Sequence, residues 1–291
     1  MIPRRSLGSS GLEVSALGLG AGGLGDPALS DRDVQDLLGR AGELGVNLVD
    51  TAPSYGESEA RLGRALAGQR DAWVVSTKVG YGVPGVPDWT GPCITLGVEQ
   101  ALRRLGTEHL DVVHLHSCPA EVLERGEVVA ALTDAVRAGK VRAAAYSGDA
   151  HALYVAVESG AFTVMQATLS LLDQHNAPTL GLARRRSLGV IAKRVLANAP
   201  WRFDHEPERP DEASYWRRWR EAELDLAAPQ DTALRFAAHH PAVSTALIGT
   251  RSAHHLEAAA RAVAAGPLEA ETAELLARRF AERGSAWSPI T

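Results

Sequence analysis

Cysteine is scarce in this chain: Cys93 and Cys118 are the only two among 291 residues, too few for a disulfide framework. The opening stretch MIPRRSLGSSGLEVS has no apolar core of the kind a secretory signal needs, so a cytoplasmic location is expected. Nowhere does the chain run to the ~18 consecutive apolar residues of a membrane-spanning helix. A basic surplus is missing too. Thirty Lys and Arg stand against 35 Asp and Glu, a formal net charge of −5, which leaves nothing to neutralise a phosphate backbone and argues against nucleic acid as a main partner. What remains is a 45% hydrophobic, 22% charged chain whose length suits one large core or two small ones. Its partner is to be sought in a pocket, as a small molecule.

Short apolar runs recur along the chain, each followed by a longer segment with helical spacing: Ala16–Gly20, Val46–Asp50, Trp73–Lys78, Leu110–His116, Val141–Ser147, Phe162–Gln166, Val190–Lys193 and Val243–Gly249. The first helix is announced by Ser30-Asp31-Arg32-Asp33, a capping box, and by the apolar face Val34, Leu37, Leu38, Ala41 and Leu44. Near-continuous apolar strands alternating with helices mean a parallel sheet with both faces covered. Eight such units fit a closed (β/α)8 barrel, with a doubly wound sheet as the alternative, since periodicity does not report closure. Outside the repeat, Arg4–Val14 reads as a hairpin turning at Ser9-Ser10-Gly11 and plugging the barrel bottom. Pro200–Ala228, with Trp201, Trp216 and Trp219, is an insertion ahead of a helix Pro229–His239, long enough to serve as a lid. Leu268–Glu282 reads as a C-terminal helix. No linker divides the chain, so residues 1–291 are expected to form a single domain.

In (β/α)8 enzymes the active site lies at the C-terminal ends of the strands. Here the second run ends in Asp50, the third in Lys78, the fourth in His116, the fifth in Ser147, the sixth in Gln166, the seventh in Lys193-Arg194 and the eighth in Gly249-Thr250-Arg251. Asp, Lys and His on three adjacent strands are more than the polar finish that any strand needs on leaving a core.

The string Asp50-Thr51-Ala52-Pro53-Ser54-Tyr55-Gly56, followed by Ser58-Glu59, resembles the Asp-Thr-Ala-x-x-Tyr-Gly signature of aldo-keto reductases. Ser76-Thr77-Lys78-Val79 is similar to that family's lysine motif, and Leu102-Arg103-Arg104-Leu105-Gly106-Thr107 with Leu110–His116 is similar to the helix and strand that deliver its histidine. The resemblance runs from Leu7-Gly8 to Ile248-Gly249-Thr250-Arg251. It implies a TIM-barrel oxidoreductase that reduces an aldehyde or ketone with a nicotinamide cofactor, with Tyr55 as general acid, Lys78 as its activator, Asp50 as the anchor of Lys78 and His116 orienting the substrate oxygen. The chemistry agrees with those residue types, because a phenol of pKa ≈ 10 is a weak acid near neutral pH and a nearby ammonium lowers it.

The resemblance also places the nicotinamide carboxamide at Ser147 and Gln166, the adenosine phosphate at Gly249, Thr250 and Arg251, and the pyrophosphate or an anionic substrate group at Lys193 and Arg194. Arg251 favours NADP, with NAD also compatible. Six positions depart from the family pattern: Gly148 replaces an asparagine, Leu169 an aromatic, Lys193-Arg194 a Tyr-Ser pair, and Ala258-Ala259 the usual adenine ligands. Gly18-Leu19-Gly20-Ala21-Gly22-Gly23 matches a dinucleotide fingerprint, but Leu24–Leu29 separate it from its helix, whereas the fingerprint must open the helix directly. His114 and His116 share one face of a strand but lack further ligands for zinc, so no metal site is expected. Cys118, without a paired base, is expected to be inert. Beside a carbonyl reductase, a cofactor-bound sensor or interaction protein with little turnover, as in the potassium-channel beta subunits, fits the same fold.

Overall fold

The computed structural model describes residues 1–288 and Ile290. Its strands are β1 (Arg4–Ser6), β2 (Glu13–Ser15), β3 (Leu17–Gly20), β4 (Leu48–Asp50), β5 (Val74–Val79), β6 (Leu110–His116), β7 (Val141–Ser147), β8 (Val164–Thr168), β9 (Gly189–Lys193) and β10 (Thr245–Gly249). From β3 onward they form one closed barrel in sequence order, with β10 pairing in parallel with both β9 and β3. Closure excludes the doubly wound alternative. Several strands begin one or two residues later than their apolar runs. Phe162 and Val243, for example, are buried in the core but stand ahead of the paired residues, because an apolar lead-in is selected for burial whether or not it joins the ladder.

The strand period of two sorts the barrel side chains into two sets. Leu48, Val74, Val112, Val164, Ile191 and Leu247 cluster with Leu7, Leu12 and Val14 of the β1–β2 hairpin. Their strand neighbours Val49, Val75, Val113, Met165, Val190 and Ile248 belong instead to the larger core shared with the helices. The first set is the barrel interior near its N-terminal end, and the hairpin stoppers it as expected. Antiparallel pairing of Arg5 with Val14 holds the stopper's shape.

The capping box forms as read: Ser30 Oγ accepts from the Asp33 amide, Asp33 accepts from the Ser30 amide at 2.9 Å, and the helix runs Asp31–Glu43. It buries Val34, Leu37, Leu38 and Ala41. In the insertion, a short turn (Pro200–Arg202) leads to a helix, Pro210–Ala222, before the expected helix at Pro229–Ala238. Tyr215 and Ala222 of the insertion pack with Leu171, Leu172 and Leu276 in a third cluster. Leu276 lies on the C-terminal helix Ala270–Arg283, so the insertion and the tail form a satellite core against the barrel.

Leu12 is 3% exposed at the centre of the stopper. Leu12→Ala is expected to cost about 2–4 kcal/mol of unfolding free energy, measured by urea denaturation. Ligand affinity at the opposite end should stay unchanged, and a loss below about 0.5 kcal/mol would mean that the hairpin does not close the barrel.

Candidate active site

Followed toward the C-terminal ends, the inward file of six of the eight barrel strands turns from apolar to polar. Leu48 gives way to Asp50; Val74 to Ser76 and Lys78; Val112 to His114 and His116; Ala145 to Ser147; Val164 to Gln166; Ile191 to Lys193. Register aligns these changes across neighbouring strands, with Asp50 beside Ser76 and Lys78 beside His114. A polar layer therefore sits directly on the apolar one.

Asp50 and Lys78 form its centre. The Lys78 ammonium, 2% exposed, donates to Asp50 Oδ2 at 2.7 Å and to the Thr51 carbonyl at 2.8 Å. Ser76 Oγ and Gln166 Nε2 donate to Asp50 Oδ1 at 2.8 and 2.9 Å, and Ser147 Oγ donates to Gln166 Oε1 at 2.7 Å. Because Ser76 spends its proton on Asp50, it accepts from His114 Nε2 at 3.0 Å, which fixes the proton of that ring. Burial pushes the Asp50 carboxyl up, but the Lys78 ammonium and the hydrogen bonds outweigh it and hold the group below the usual carboxylate range. His114 is one layer below the mouth, hydrogen-bonded as expected, and burial depresses it to about 3. No group of three or more His, Cys, Asp or Glu able to hold a metal ion occurs among the described residues.

Tyr55 stands half-buried beyond the end of β4, on a turn closed by its amide to the Ala52 carbonyl at 3.0 Å. Its ring centroid lies 5.2 Å from Lys78 Nζ. Burial raises its pKa above the ordinary tyrosine value while the Lys78 ammonium pulls it down and the Asp50 carboxylate raises it. The lowering expected from the ammonium is present but is outweighed, since burial is a quantity that motif spacing does not report. His116, half-buried at the end of β6, is depressed to about 4, by burial first and by Lys78 second.

Sequence reasoning missed Tyr81. Its hydroxyl lies 2.7 Å from His116 Nδ1 and its ring stacks on the imidazole, centroids 5.4 Å apart. The available signal was an aromatic residue three positions past the lysine, between Gly80 and Gly82. Asp149 was missed as well. It accepts from Lys193 Nζ at 2.7 Å, the Thr168 amide at 2.7 Å and Asn176 at 2.8 Å, so Lys193 does not stand as a free cation.

The other expected cofactor residues divide. A cavity of about 490 Å³ opens at the ends of β9 and β10, where Arg194, Asn198, Arg202, Gly249, Thr250 and His255 line it. The helix Ala253–Ala264 begins there, capped by Ser252. Ser147 and Gln166 lie in the hydrogen-bonded layer around Asp50, outside that cavity. Arg251 reaches across to Asp26 at 2.5 Å, both half-exposed. Trp201 and Glu212 bring the insertion to this same cavity, while Trp219 packs on Trp201 and Trp216 donates to the Phe203 carbonyl. Gly148 has its reason in Tyr146, whose hydroxyl would lie 2.3 Å from an added Cβ. Leu169 is fully buried and presents no surface for stacking. Cys118 is buried and its thiol is pushed up to about 12 by burial, in keeping with an inert thiol.

A family model described as the aldo/keto reductase family matches residues 16–278. The chain belongs to that family. Its L-galactose dehydrogenase relative in Arabidopsis thaliana is 34% identical over 151 residues, 48% of this chain and 47% of that one. A Schizosaccharomyces pombe protein, proposed to be a voltage-gated potassium channel beta subunit, is 37% identical over 150 residues, 48% of this chain and 43% of its own. The chain thus spans about half the length of these curated relatives. A solved aldo-keto reductase of Bacillus halodurans, in its holo form, superposes with a TM-score of 0.82 at 25% identity, over 96% of each chain.

Two neutral histidines, one buried and one half-buried, make stability depend on pH. His114 and His116 titrate near 3 and 4 when folded and near 6.5 when unfolded, so below 6.5 the unfolded chain binds more protons and stability falls. The loss spans about pH 6.5 to 4 for His116 and continues to about 3 for His114. Going from pH 7 to 5 should cost on the order of 1–2 kcal/mol per histidine, read as a falling urea midpoint, and His114→Ala should flatten the slope. A midpoint constant over that range would contradict the neutral assignment.

Proposed function

We propose that this aldo-keto reductase reduces an aldehyde or ketone carbonyl with NADPH, Tyr55 supplying the proton. The observation that carries the reading is the convergence of Asp50, Lys78, Tyr55 and His116 at the barrel mouth. A nicotinamide cofactor, when bound, supplies the hydride. The cavity at the ends of β9 and β10 has the volume of a ligand site and the start of a helix, and for an anionic dinucleotide Arg202 would turn from Glu212, with which it now pairs at 2.7 Å, and Arg194 from the Ile290 carbonyl. Ser147 and Gln166 would hold the carboxamide by redirecting hydrogen bonds that they now make to each other and to Asp50.

The carbonyl oxygen is to be held between the Tyr55 hydroxyl and the His116 ring. As negative charge grows on that oxygen, Tyr55 donates its proton, and Lys78, fixed by Asp50, stabilises the phenolate left behind. Burial raises the resting pKa of Tyr55, so the acid strength that the step needs comes from the Lys78 ammonium, which stabilises the phenolate as it forms. The named relative acts on L-galactose, so polyhydroxylated carbonyls lead the panel of substrates to be tried. An interaction role has less support, because Leu96 and Tyr154, with Met1, are the only large hydrophobic side chains found exposed among the described residues.

Tyr55→Phe should lower single-turnover hydride transfer by about 10²–10⁴ with cofactor affinity retained. Lys78→Met should lose a comparable factor and move the alkaline limb of the pH–rate profile upward, since the ammonium favours the phenolate. The double variant should be hardly worse than either. Lys78→Met also leaves a buried carboxylate unpaired, at about 3–5 kcal/mol, so its melting is followed alongside. Near wild-type turnover in Tyr55→Phe would assign the proton to another group.

NADPH should bind more tightly than NADH. Arg251 must leave Asp26 to meet a 2′-phosphate, but an exposed pair holds it by only about 0–1 kcal/mol. Fluorescence titration of Arg251→Ala should show NADPH affinity reduced roughly ten- to a hundredfold and NADH affinity unmoved. Equal affinities in the unmodified protein would overturn the preference.

A further inference from the structure

A neutral imidazole carries one ring proton, and which nitrogen holds it decides whether the ring can donate to a substrate oxygen or only repel it. For His116 the answer turns on Nδ1, which faces the Tyr81 hydroxyl at 2.7 Å. No other hydrogen bond of that hydroxyl is found among the described residues. Were the proton on Nδ1, it would point at the phenol oxygen, the phenol hydrogen would find no acceptor among the described residues, and Nε2 would present a lone pair. With the phenol donating to Nδ1, both groups are satisfied and Nε2–H is left to donate.

The loop after β5 is built to keep Tyr81 there. Trp89 meets its ring edge-on, centroids 5.9 Å apart, and closes the loop through its amide to the Gly80 carbonyl at 2.8 Å. Gly80 has φ +138°, and an added Cβ would fall 2.2 Å from the Trp89 ring. The Gly82 amide is tied to Asp88 at 2.9 Å. Trp89 itself takes the left-handed conformation, φ 58°, a strain that only a determined loop sustains.

We propose that Tyr81 is a positioning residue: its hydroxyl locks His116 in the Nε2–H tautomer and fixes the ring plane, so that Nε2–H meets the substrate carbonyl oxygen. The inference rests on the carbonyl-reductase reading. Its core, the direction of the Tyr81–His116 hydrogen bond, can be measured without any substrate.

Tyr81→Phe keeps the stack and removes the donor. Ring ¹⁵N shifts of His116, assigned by their loss in His116→Gln, should report Nε2–H as the sole tautomer in the unmodified protein and a mixture or a mobile ring in Tyr81→Phe. Turnover should fall about five- to tenfold, the worth of one neutral hydrogen bond, chiefly in kcat. The acid limb of the pH–rate profile should move up as well, because a donor to Nδ1 favours the unprotonated ring. Lys78, Asp50 and Lys193, the charged groups that act on His116 from β5, β4 and β9, are untouched by the substitution. Trp89→Phe, which retains the hydroxyl, should leave the tautomer and the acid limb in place. An Nδ1–H tautomer in the unmodified protein, or Tyr81→Phe with unchanged ring signals and acid limb, would overturn the proposal. If no carbonyl is reduced with either cofactor, the functional reading fails while the ring signals still decide the hydrogen bond.

Discussion

The buried ion pair between Asp50 and Lys78 is the constraint on which the rest of this barrel depends. Two charges withdrawn from water are sustained only where the remaining lone pairs and protons find partners, and each neighbour is a residue type that supplies one. Ser76 and Gln166 donate to one carboxylate oxygen, Lys78 takes the other, and the Thr51 carbonyl takes a further proton of the ammonium. The requirement spreads outward. Ser147 holds Gln166, and His114 stays neutral because burial penalises its charged form more than the Asp50 carboxylate favours it. The polar layer is thus a single bonded unit resting on an apolar floor, and its geometry is passed to Tyr55 and His116 at the mouth.

The family signature divides between that unit and the scaffold. Thr51 Oγ1 donates to Ser58 Oγ, which donates to the Ala21 carbonyl, tying the exits of β3 and β4 to the helix Ser58–Ala65. Glu59, buried on that helix, accepts from Thr77 at 2.6 Å and pairs with Arg104 at 2.5 Å. Several recognisable side chains of the motif are therefore spent on the scaffold and not on the site. They hold the helices that keep β4 and β5 in place, and with them the two ends of the ion pair.

Much of this was legible in the sequence because a strand's period of two and its last polar residue are local facts. The parallel strand–helix repeat, the stopper and the strand-end residues Asp50, Lys78 and His116 follow from them, whereas closure into a barrel does not follow from periodicity and Tyr55, beyond the end of β4, follows from the resemblance of its motif. What escaped depends on partners chosen by closure: Asp149, which neutralises Lys193, Asp26, which holds Arg251, and Tyr81, which reaches His116 from the neighbouring strand's loop. In the sequence the insertion reads as long enough for a lid, its tryptophans open between pocket and packing. Trp201 and Trp219 pack on each other within the third cluster, and Trp201 also borders the cavity. Burial was the other hidden quantity, and it is what raises Tyr55 where charge alone would lower it.

The hairpin stopper makes the barrel a blind well. With Leu7, Leu12 and Val14 filling the floor, water has no through-passage along the axis, and any hydron that reaches His114 or Asp50 must enter past Tyr55 and His116. Isotope exchange at the buried ring and ammonium is therefore metered by the mouth, and a ligand seated there would seal the well and slow it.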